Sequence, residues 1–112
     1  MSAAYDRDRL IELFGDDRAT LAEIEGEFFD TARDAAREIA GTDDLAIIAR
    51  AAHRLKGASG MIGAVPLHRI AEAIERTAKA KDLQGVRQMQ EQLRREVLRV
   101  AMQAGREAQL SS

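Results

Sequence analysis

A chain of 112 residues without cysteine is long enough to bury the core of one domain, and it excludes a disulfide framework and thiolate metal sites. Its net charge of -2, with 17 basic and 19 acidic residues well mixed, argues against a general nucleic-acid-binding protein, which usually concentrates basic charge. No apolar run approaches the roughly 18 residues of a membrane span and no signal-peptide pattern opens the chain, so we expect a cytoplasmic protein with no membrane partner.

The composition and the start of the chain predict helices. Abundant alanine, a single proline and few aromatic residues are typical of an all-α protein. Residues 1–4 and about 108–112 show no apolar periodicity and are expected to fray. A short first helix is predicted over residues 5–14, ended by Gly15, with an apolar face formed by Leu10, Leu13 and Phe14.

A second, long helix is predicted over residues 18–40, with Asp16 or Asp17 as its N-cap. Residues 41–44 then supply a stop signal and a new cap, so that a third helix begins near Asp44. The second helix carries one apolar stripe at intervals of three or four residues, formed by Leu21, Ile24, Phe28, Ala32, Ala35 and Ile39.

Two further helices complete the predicted fold. Pro66 fits the first turn of a fourth helix, with a stripe formed by Leu67, Ile70, Ile74 and Thr77 or Ala78. Asp82 is placed to cap a fifth helix, with a stripe formed by Val86, Met89, Leu93, Val97, Val100 and Ala104. Long amphipathic helices joined by short turns predict an antiparallel four-helix bundle with a short N-terminal capping helix, in one domain over residues 1–112.

One of the two histidines, His53, is predicted to lie exposed on the third helix. On a helical wheel of about 100° per residue, its side chain points about 140° away from the centre of the buried face. The third helix should therefore present the imidazole to partners. The buried face is formed by Leu45, Ile48, Ala52, Leu55, Ser59 and Ile62.

The surface around His53 consists of small residues, namely Ala46, Ala49, Gly57 and Gly60. Solvated helix faces are normally charged, and a glycine inside a helix costs about 1 kcal/mol relative to alanine. One interpretation is that the helix stops early and that Gly57, Gly60 and Gly63 form a loop. The interpretation that we favour is that the surface is kept low so that another protein can reach the imidazole.

An exposed imidazole can act as a nucleophile. Phosphoryl transfer requires little more than a positioned nucleophile and compensating positive charge. Lys56 lies one helical turn after His53 and could reach the oxygens of a phosphoryl group on the ring. Arg50 and Arg54 lie farther round the helix and would contribute a weaker, salt-screened field.

Other kinds of site lack the residues that they need. There is no Gly-x-x-x-x-Gly-Lys-Ser/Thr loop for nucleotide phosphates, and no predicted strand precedes the glycines at 57, 60 and 63. The histidines do not have the His-Glu-x-x-His spacing of a metal site. We therefore predict no metal, no cofactor and no kinase activity of the chain's own.

The second histidine, His68, serves as an internal control. Ala71 and Glu72 occupy the positions that Lys56 and Gly57 occupy relative to His53, so His68 is expected to be an ordinary surface residue. The carboxylates near it, Glu72 and Glu75, are assigned to a solvated helix face.

The residues around His53 form the motif His53-x-x-Lys56-Gly57-x-Ser59-x-x-x-Gly63-Ala64. This motif resembles that of the histidine-containing phosphotransfer (HPt) domain of two-component phosphorelays. The resemblance extends over nearly the whole chain, since the helix lengths and the Asp-Leu helix starts at residues 44–45 and 82–83 also look like that family.

The resemblance implies that His53 accepts a phosphoryl group from a receiver-domain aspartate and passes it to another. It implies charge compensation by Lys56, close approach of the partner at Gly57 and, on the fourth helix, orientation of the imidazole by Glu75. The implied partners are response-regulator receiver domains, which would supply Mg²⁺, and a hybrid sensor histidine kinase, with this chain as a monomer. We expect the receiver to dock on the surface formed by Ala49, Arg50, Arg54, Gly57 and Gly60.

Two alternatives stay open. With Gly60 the motif reads His-x-x-Lys-Gly-x-x-Gly-x-x-Gly, which is also similar to the N-terminal phosphotransfer domain of chemotaxis-type histidine kinases, so the chain could be such a domain excised from a kinase. The second alternative is a non-catalytic module that binds a receiver or kinase and inhibits it. An inhibitor has no need of the nucleophile, which favours the phosphotransfer interpretation.

Overall fold

The computed structural model describes residues 3–110, and this part of the chain contains five α-helices and one 3₁₀ helix but no β-strand. Helices α2 to α5 pack in a closed ring, in which each helix contacts the next and α5 returns to α2. The elements are α1 (Arg7–Phe14), α2 (Arg18–Ala40), α3 (Leu45–Met61), α4 (Val65–Lys79), α5 (Leu83–Ala104) and the 3₁₀ helix Glu107–Leu110. The predicted antiparallel four-helix bundle with an N-terminal capping helix is thus confirmed.

Aspartate side chains cap three of the four bundle helices, α2, α3 and α5, as the sequence predicts. Asp44 accepts a hydrogen bond from the Ala46 amide at 2.9 Å, and Asp82 accepts one from the Gly85 amide at 2.9 Å. At the start of α2 the cap is Asp17, which accepts from the Thr20 amide. Each such cap contributes about 1 kcal/mol and fixes where its helix starts.

The predicted apolar stripes form the core. Their residues are buried, except that Ile24, Leu45, Met89, Thr77 and Ala104 are half-buried. Small buried side chains let helices approach closely, and the buried alanines of α2, α3 and α4 include Ala32, Ala35, Ala51, Ala52, Ala71 and Ala78. A closely packed seam between α3 and α4 is the part of the fold that matters most for the site.

Helix α1 lies across the end of the bundle at which α3 ends and α4 begins. The Asp6 amide donates to the Ile62 carbonyl at 3.0 Å, and Arg9 Nε donates to the Met61 carbonyl at 2.8 Å. Gly63 has a φ of +69°, and a Cβ at this position would lie 2.9 Å from Asp6 Cβ. Glycine is therefore required here both for the turn and for the close approach of the N-terminal segment.

Both ends of the described chain make contacts with the bundle that the sequence does not predict. Ala4 is buried and its amide donates to Gln103 Oε1 at 2.7 Å, so the prediction that it frays was wrong. At the other end, part of the segment that was expected to fray belongs to the 3₁₀ helix, and Leu110 packs against the core. Residues 1–2 and 111–112 of the segments expected to fray lie outside the described residues.

The buried face of α1 also differs from the prediction. Leu10 is buried, but Leu13 and Phe14 are 54% and 44% exposed. Because α1 is short and crosses the end of the bundle, it contacts the core along one edge only. In this N-terminal region it is Tyr5, just before α1, that enters the core, and its hydroxyl donates to the buried carboxylate of Glu25. Burial and this carboxylate raise the pKa of Tyr5 above its usual value.

Candidate functional site

Helix α3 continues through both glycines of the His53 face. It runs to Met61, and of the three motif glycines only Gly63 lies outside it, in the turn to α4. The interpretation in which Gly57, Gly60 and Gly63 form a loop was therefore wrong. A continuous helix fixes the positions of His53, Lys56 and Gly57 relative to one another.

His53 lies on the exposed face of α3, as the helical wheel predicts, with its side chain 69% exposed. Its Nδ1 atom lies 2.8 Å from Oε2 of Glu75, which reaches across from α4. The side chain of Glu75 is only 5% exposed, so one face of the site is a buried carboxylate. The ring is held at Nδ1 and remains accessible on its other side.

Two lysines form ion pairs with Glu75. Lys56 Nζ lies 2.7 Å from Oε1, and Lys79 Nζ lies 3.2 Å from Oε2, the same oxygen that contacts His53. The hydrogen bond from Lys56 is the main cause that lowers the pKa of Glu75 to about 2; burial opposes the shift, and Lys79 and His53 add to it. Glu75 is therefore a carboxylate at neutral pH.

The charge of Glu75 decides the tautomer of His53. A carboxylate only accepts hydrogen bonds, so Nδ1 of His53 carries the proton and donates it. In the neutral ring, the lone pair then belongs to Nε2, the nitrogen that does not face Glu75. The arrangement can thus present a nucleophilic nitrogen on a ring whose carboxylate partner also binds two ammonium groups.

The two helical glycines of this surface have different surroundings. A Cβ at Gly57 would meet nothing within 4 Å, whereas a Cβ at Gly60 would lie 3.2 Å from Nδ1 of His68. Packing inside the chain therefore accounts for the lack of a side chain at Gly60 but gives no reason for it at Gly57.

Residues 10–103, which include α2, α3 and α4 and nearly all of α5, match the family model of the Hpt domain. The chain belongs to the Hpt domain family. The Escherichia coli (strain K12) protein named phosphotransferase RcsD is 37% identical to it over 62 residues, which are 53% of this chain and 7% of that relative. The chain thus spans a small fraction of the length of this curated relative. No solved structure gives a significant match.

Membership of this family makes the chain a histidine phosphotransfer domain of phosphorelays. Within the part of this Hpt domain that the structure describes, no three histidine, cysteine or acidic side chains lie together in a way that could hold a metal ion. None of the helices in residues 3–110 is long and apolar enough to cross a membrane.

Of the two carboxylates of the Hpt domain that were assigned to a solvated helix face, only one is exposed. Glu72 is exposed as expected, but Glu75 is buried and faces α3, so that assignment was wrong for Glu75. Its carboxylate contacts Nδ1 of His53, the ring that the family resemblance would have it orient. Lys79 was missed by the sequence analysis, although its position four residues after Glu75 on one helix is a recognised ion-pair spacing.

The remaining residues of the predicted docking surface do not all face the same way. Arg50 is exposed and Ala49 is half-buried on the His53 side of α3. Arg54 points towards α2, where its Nη2 atom lies 2.9 Å from Oε2 of Glu38. The structure therefore brings Glu75 and Lys56 together at His53, whereas Arg54 makes its ion pair elsewhere.

His68 is not the ordinary surface residue that the sequence predicts. It is half-buried between α3 and α4, and its Nδ1 lies 2.9 Å from the carbonyl oxygen of Lys56. Ser59 of the motif is also internal, and its hydroxyl donates to the Leu55 carbonyl. The helical wheel of α3 predicts the burial of Ser59, but it cannot reveal the contact of His68, which lies on another helix.

Proposed function

We propose that this Hpt domain relays a phosphoryl group between receiver-domain aspartates through Nε2 of His53. The observation that carries the proposal is the 2.8 Å contact between His53 Nδ1 and the ionised Glu75. Because the side chain of His53 is 69% exposed, this contact leaves Nε2 as the nitrogen that a partner can reach.

The chemistry follows from this geometry. The Nε2 lone pair of His53 attacks the phosphorus of an aspartyl phosphate on a receiver, and a P–N bond forms. The bond between phosphorus and the aspartate oxygen breaks, and the aspartate leaves as a carboxylate with that electron pair. No proton has to move, because Nδ1 keeps its hydrogen and Glu75 stabilises the positive charge that develops on the ring. The same step in reverse, with the aspartate of a second receiver as nucleophile, delivers the phosphoryl group.

Lys56 and Lys79 are proposed to compensate the charge of the phosphoryl group. Both ammonium groups already lie beside Glu75, at 2.7 and 3.2 Å. A phosphoryl group adds up to about two negative charges, which attract the same two cations. The Lys79 side chain is 66% exposed and has more room to turn towards the new group than Lys56. We therefore assign the larger movement to Lys79.

The receiver is proposed to dock on the low surface around His53. Gly57 has open space where a side chain would stand, which supports close approach at this residue. Gly60 and Ala49 continue this surface, and Arg50 gives positive charge at its margin. In this proposal the receiver brings its own Mg²⁺, a hybrid sensor histidine kinase supplies the phosphoryl group, and the chain works as a monomer.

The direct test uses a purified receiver labelled with radioactive phosphate. Wild-type protein and the His68→Asn variant should reach the same final level of acid-labile label, and the His53→Gln variant should take up none. Folding of each variant is checked by far-ultraviolet circular dichroism. Labelling of His53→Gln at the wild-type level would contradict the proposal.

Two other outcomes identify the alternatives. An inhibitory binding module would leave wild-type protein unlabelled, while affinity for the receiver would be unchanged in His53→Ala. A phosphotransfer domain of the chemotaxis-kinase type would take label from an ATP-dependent kinase domain and not from the phosphorylated receiver. Receivers and kinase domains are therefore assayed in parallel as donors.

A further inference from the structure

His68 faces α3 from the first part of α4, two helical turns before Glu75. Its Nδ1 atom lies 2.9 Å from the carbonyl oxygen of Lys56. Since a carbonyl oxygen only accepts, Nδ1 of His68 carries a proton and donates it. The same ring lies over Gly60, where a Cβ would be 3.2 Å from Nδ1 and 3.4 Å from Cε1. A hydrogen bond and a close packing contact thus hold one ring against α3.

Helix α4 consequently contacts both the backbone and the side-chain ammonium group of Lys56. His68 binds its backbone carbonyl, and Glu75 binds its ammonium group at 2.7 Å. The two α4 residues are separated by about 10 Å along the helix axis, at about 1.5 Å per residue. Two such contacts fix how far α3 can slide or turn against α4. His53 lies one turn from Lys56 on α3, so the same register sets its distance from Glu75.

We propose that His68 is a positioning residue for phosphotransfer. Its hydrogen bond to the Lys56 carbonyl, with its ring packed on Gly60, holds α3 in the register at which Glu75 meets His53 Nδ1. His68 does not touch the reacting atoms and acts through the backbone of α3. The expected effect on transfer rests on the proposed function, whereas the effect on the His53 ring does not.

The two helical glycines of the motif then lack a side chain for different reasons. Gly60 is small because the His68 ring lies against it, and Gly57 is small although nothing within the chain approaches it. An alanine at position 60 would push the His68 ring by a few tenths of an ångström and weaken its bond to Lys56. An alanine at position 57 would leave that bond unchanged.

The test compares His68→Leu with His68→Asn. Leucine fills space but cannot donate, whereas the asparagine amide nitrogen is as many bonds from Cβ as Nδ1 of histidine and restores the donor. The first readout is the ¹⁵N nuclear magnetic resonance of the His53 ring, which reports the tautomer. In His68→Leu the share of the Nδ1–H tautomer should fall, and in His68→Asn it should remain close to wild type.

The second readout is the initial rate of transfer from a phosphorylated receiver. It should fall roughly tenfold in His68→Leu, since a misplacement of about 1 Å can cost up to about a hundredfold, and His68→Asn should recover most of the loss. If His68→Leu does not fold, Gly60→Ala provides a milder displacement of the same ring. It should shift the His53 ring signals in the same direction, and Gly57→Ala should leave those signals at wild type.

The outcomes distinguish a failure of the His68 positioning role from a failure of the proposed phosphotransfer function. A His68→Leu protein that melts at a lower temperature but keeps wild-type His53 ring signals would overturn the positioning role. Equal changes in His68→Leu and His68→Asn would also overturn it, because the donor would then not matter. If wild-type protein accepts no phosphate, the proposed function fails, but the ring signals still decide whether His68 positions His53.

Discussion

His53 and His68 lie on opposite sides of the contact between α3 and α4, and each makes one hydrogen bond across it through Nδ1. The partner of His53 is the ionised Glu75 carboxylate, whereas the partner of His68 is the neutral Lys56 carbonyl. The His53 ring is largely exposed, and His68 is half-buried against Gly60. The comparison teaches that the charge of the partner and the access to Nε2, more than the imidazole itself, distinguish a candidate nucleophile from a structural histidine.

The largest effect is expected when the partner of His53 is made as neutral as that of His68. In Glu75→Gln the oxygen can still accept from Nδ1, but it no longer stabilises the positive ring of the phosphorylated state. The transfer rate should fall by roughly 10- to 100-fold, the range seen when carboxylates that orient metal-binding histidines are removed. Stopped-time labelling from a phosphorylated receiver measures it, with Glu72→Gln as the matched control on the solvated face of α4. A wild-type rate in Glu75→Gln would show that the negative charge of Glu75 does not distinguish His53 from His68.

A second variant gives His53 the shielding that His68 already has. Leucine in place of Gly57 places a bulky side chain one turn from His53, on a surface where a Cβ meets nothing within 4 Å. Transfer should slow by about tenfold, because a misplaced partner loses rate steeply, while the fold is retained. Transfer rates are compared with thermal melting curves of the same preparations. If the loss of rate were matched by a loss of folded protein, close approach at Gly57 would not be the cause.

The last effect, on stability and not on transfer, concerns acid, which neutralises the partner of His53 but not that of His68. The folded-state pKa of Glu75, about 2, lies below the ordinary value of 4.5. Its contribution to the free energy of unfolding is therefore fully present above about pH 4.5 and is lost as the pH falls towards 2. We expect about 1.5–3 kcal/mol, the scale of a hydrogen bond to a charged group.

Urea unfolding of wild type and Glu75→Gln at several pH values measures this contribution. Other carboxylates also titrate in this range, so the quantity of interest is the difference between the two proteins. That difference should shrink between pH 4.5 and 2. A difference that stays constant over this range would show that the Glu75 carboxylate has no special stabilisation in the folded state.

Much of the fold was predictable because it depends on patterns local in sequence. Periodic apolar residues predicted the bounds of α2, and aspartates at 44 and 82 predicted the starts of α3 and α5. The exposure of His53 followed from the geometry of one helix. Such features need no knowledge of how the helices pack together.

The parts that could not be predicted depend on contacts between elements. His53 and Glu75 are 22 positions apart, and Ala4 and Gln103 are 99 apart, so no single-helix pattern brings them together. His68 was assigned to the surface by comparing the residues that follow it with those that follow His53, and that comparison cannot reveal a partner that is a backbone carbonyl of another helix. The resemblance to the HPt family supplied the position of Glu75, but the burial and ion pairs of that residue emerge only from the packing of α3 on α4.

The most direct measurement identifies the nitrogen that carries the phosphate. Protein labelled with ¹⁵N in its histidine rings is phosphorylated by a receiver and analysed by nuclear magnetic resonance for coupling between ³¹P and each ring nitrogen. Since Glu75 engages Nδ1, we predict coupling to Nε2 of His53 and to no other ring nitrogen. Coupling to Nδ1 of His53, or to either nitrogen of His68, would contradict the central claim that Glu75 selects the nucleophile.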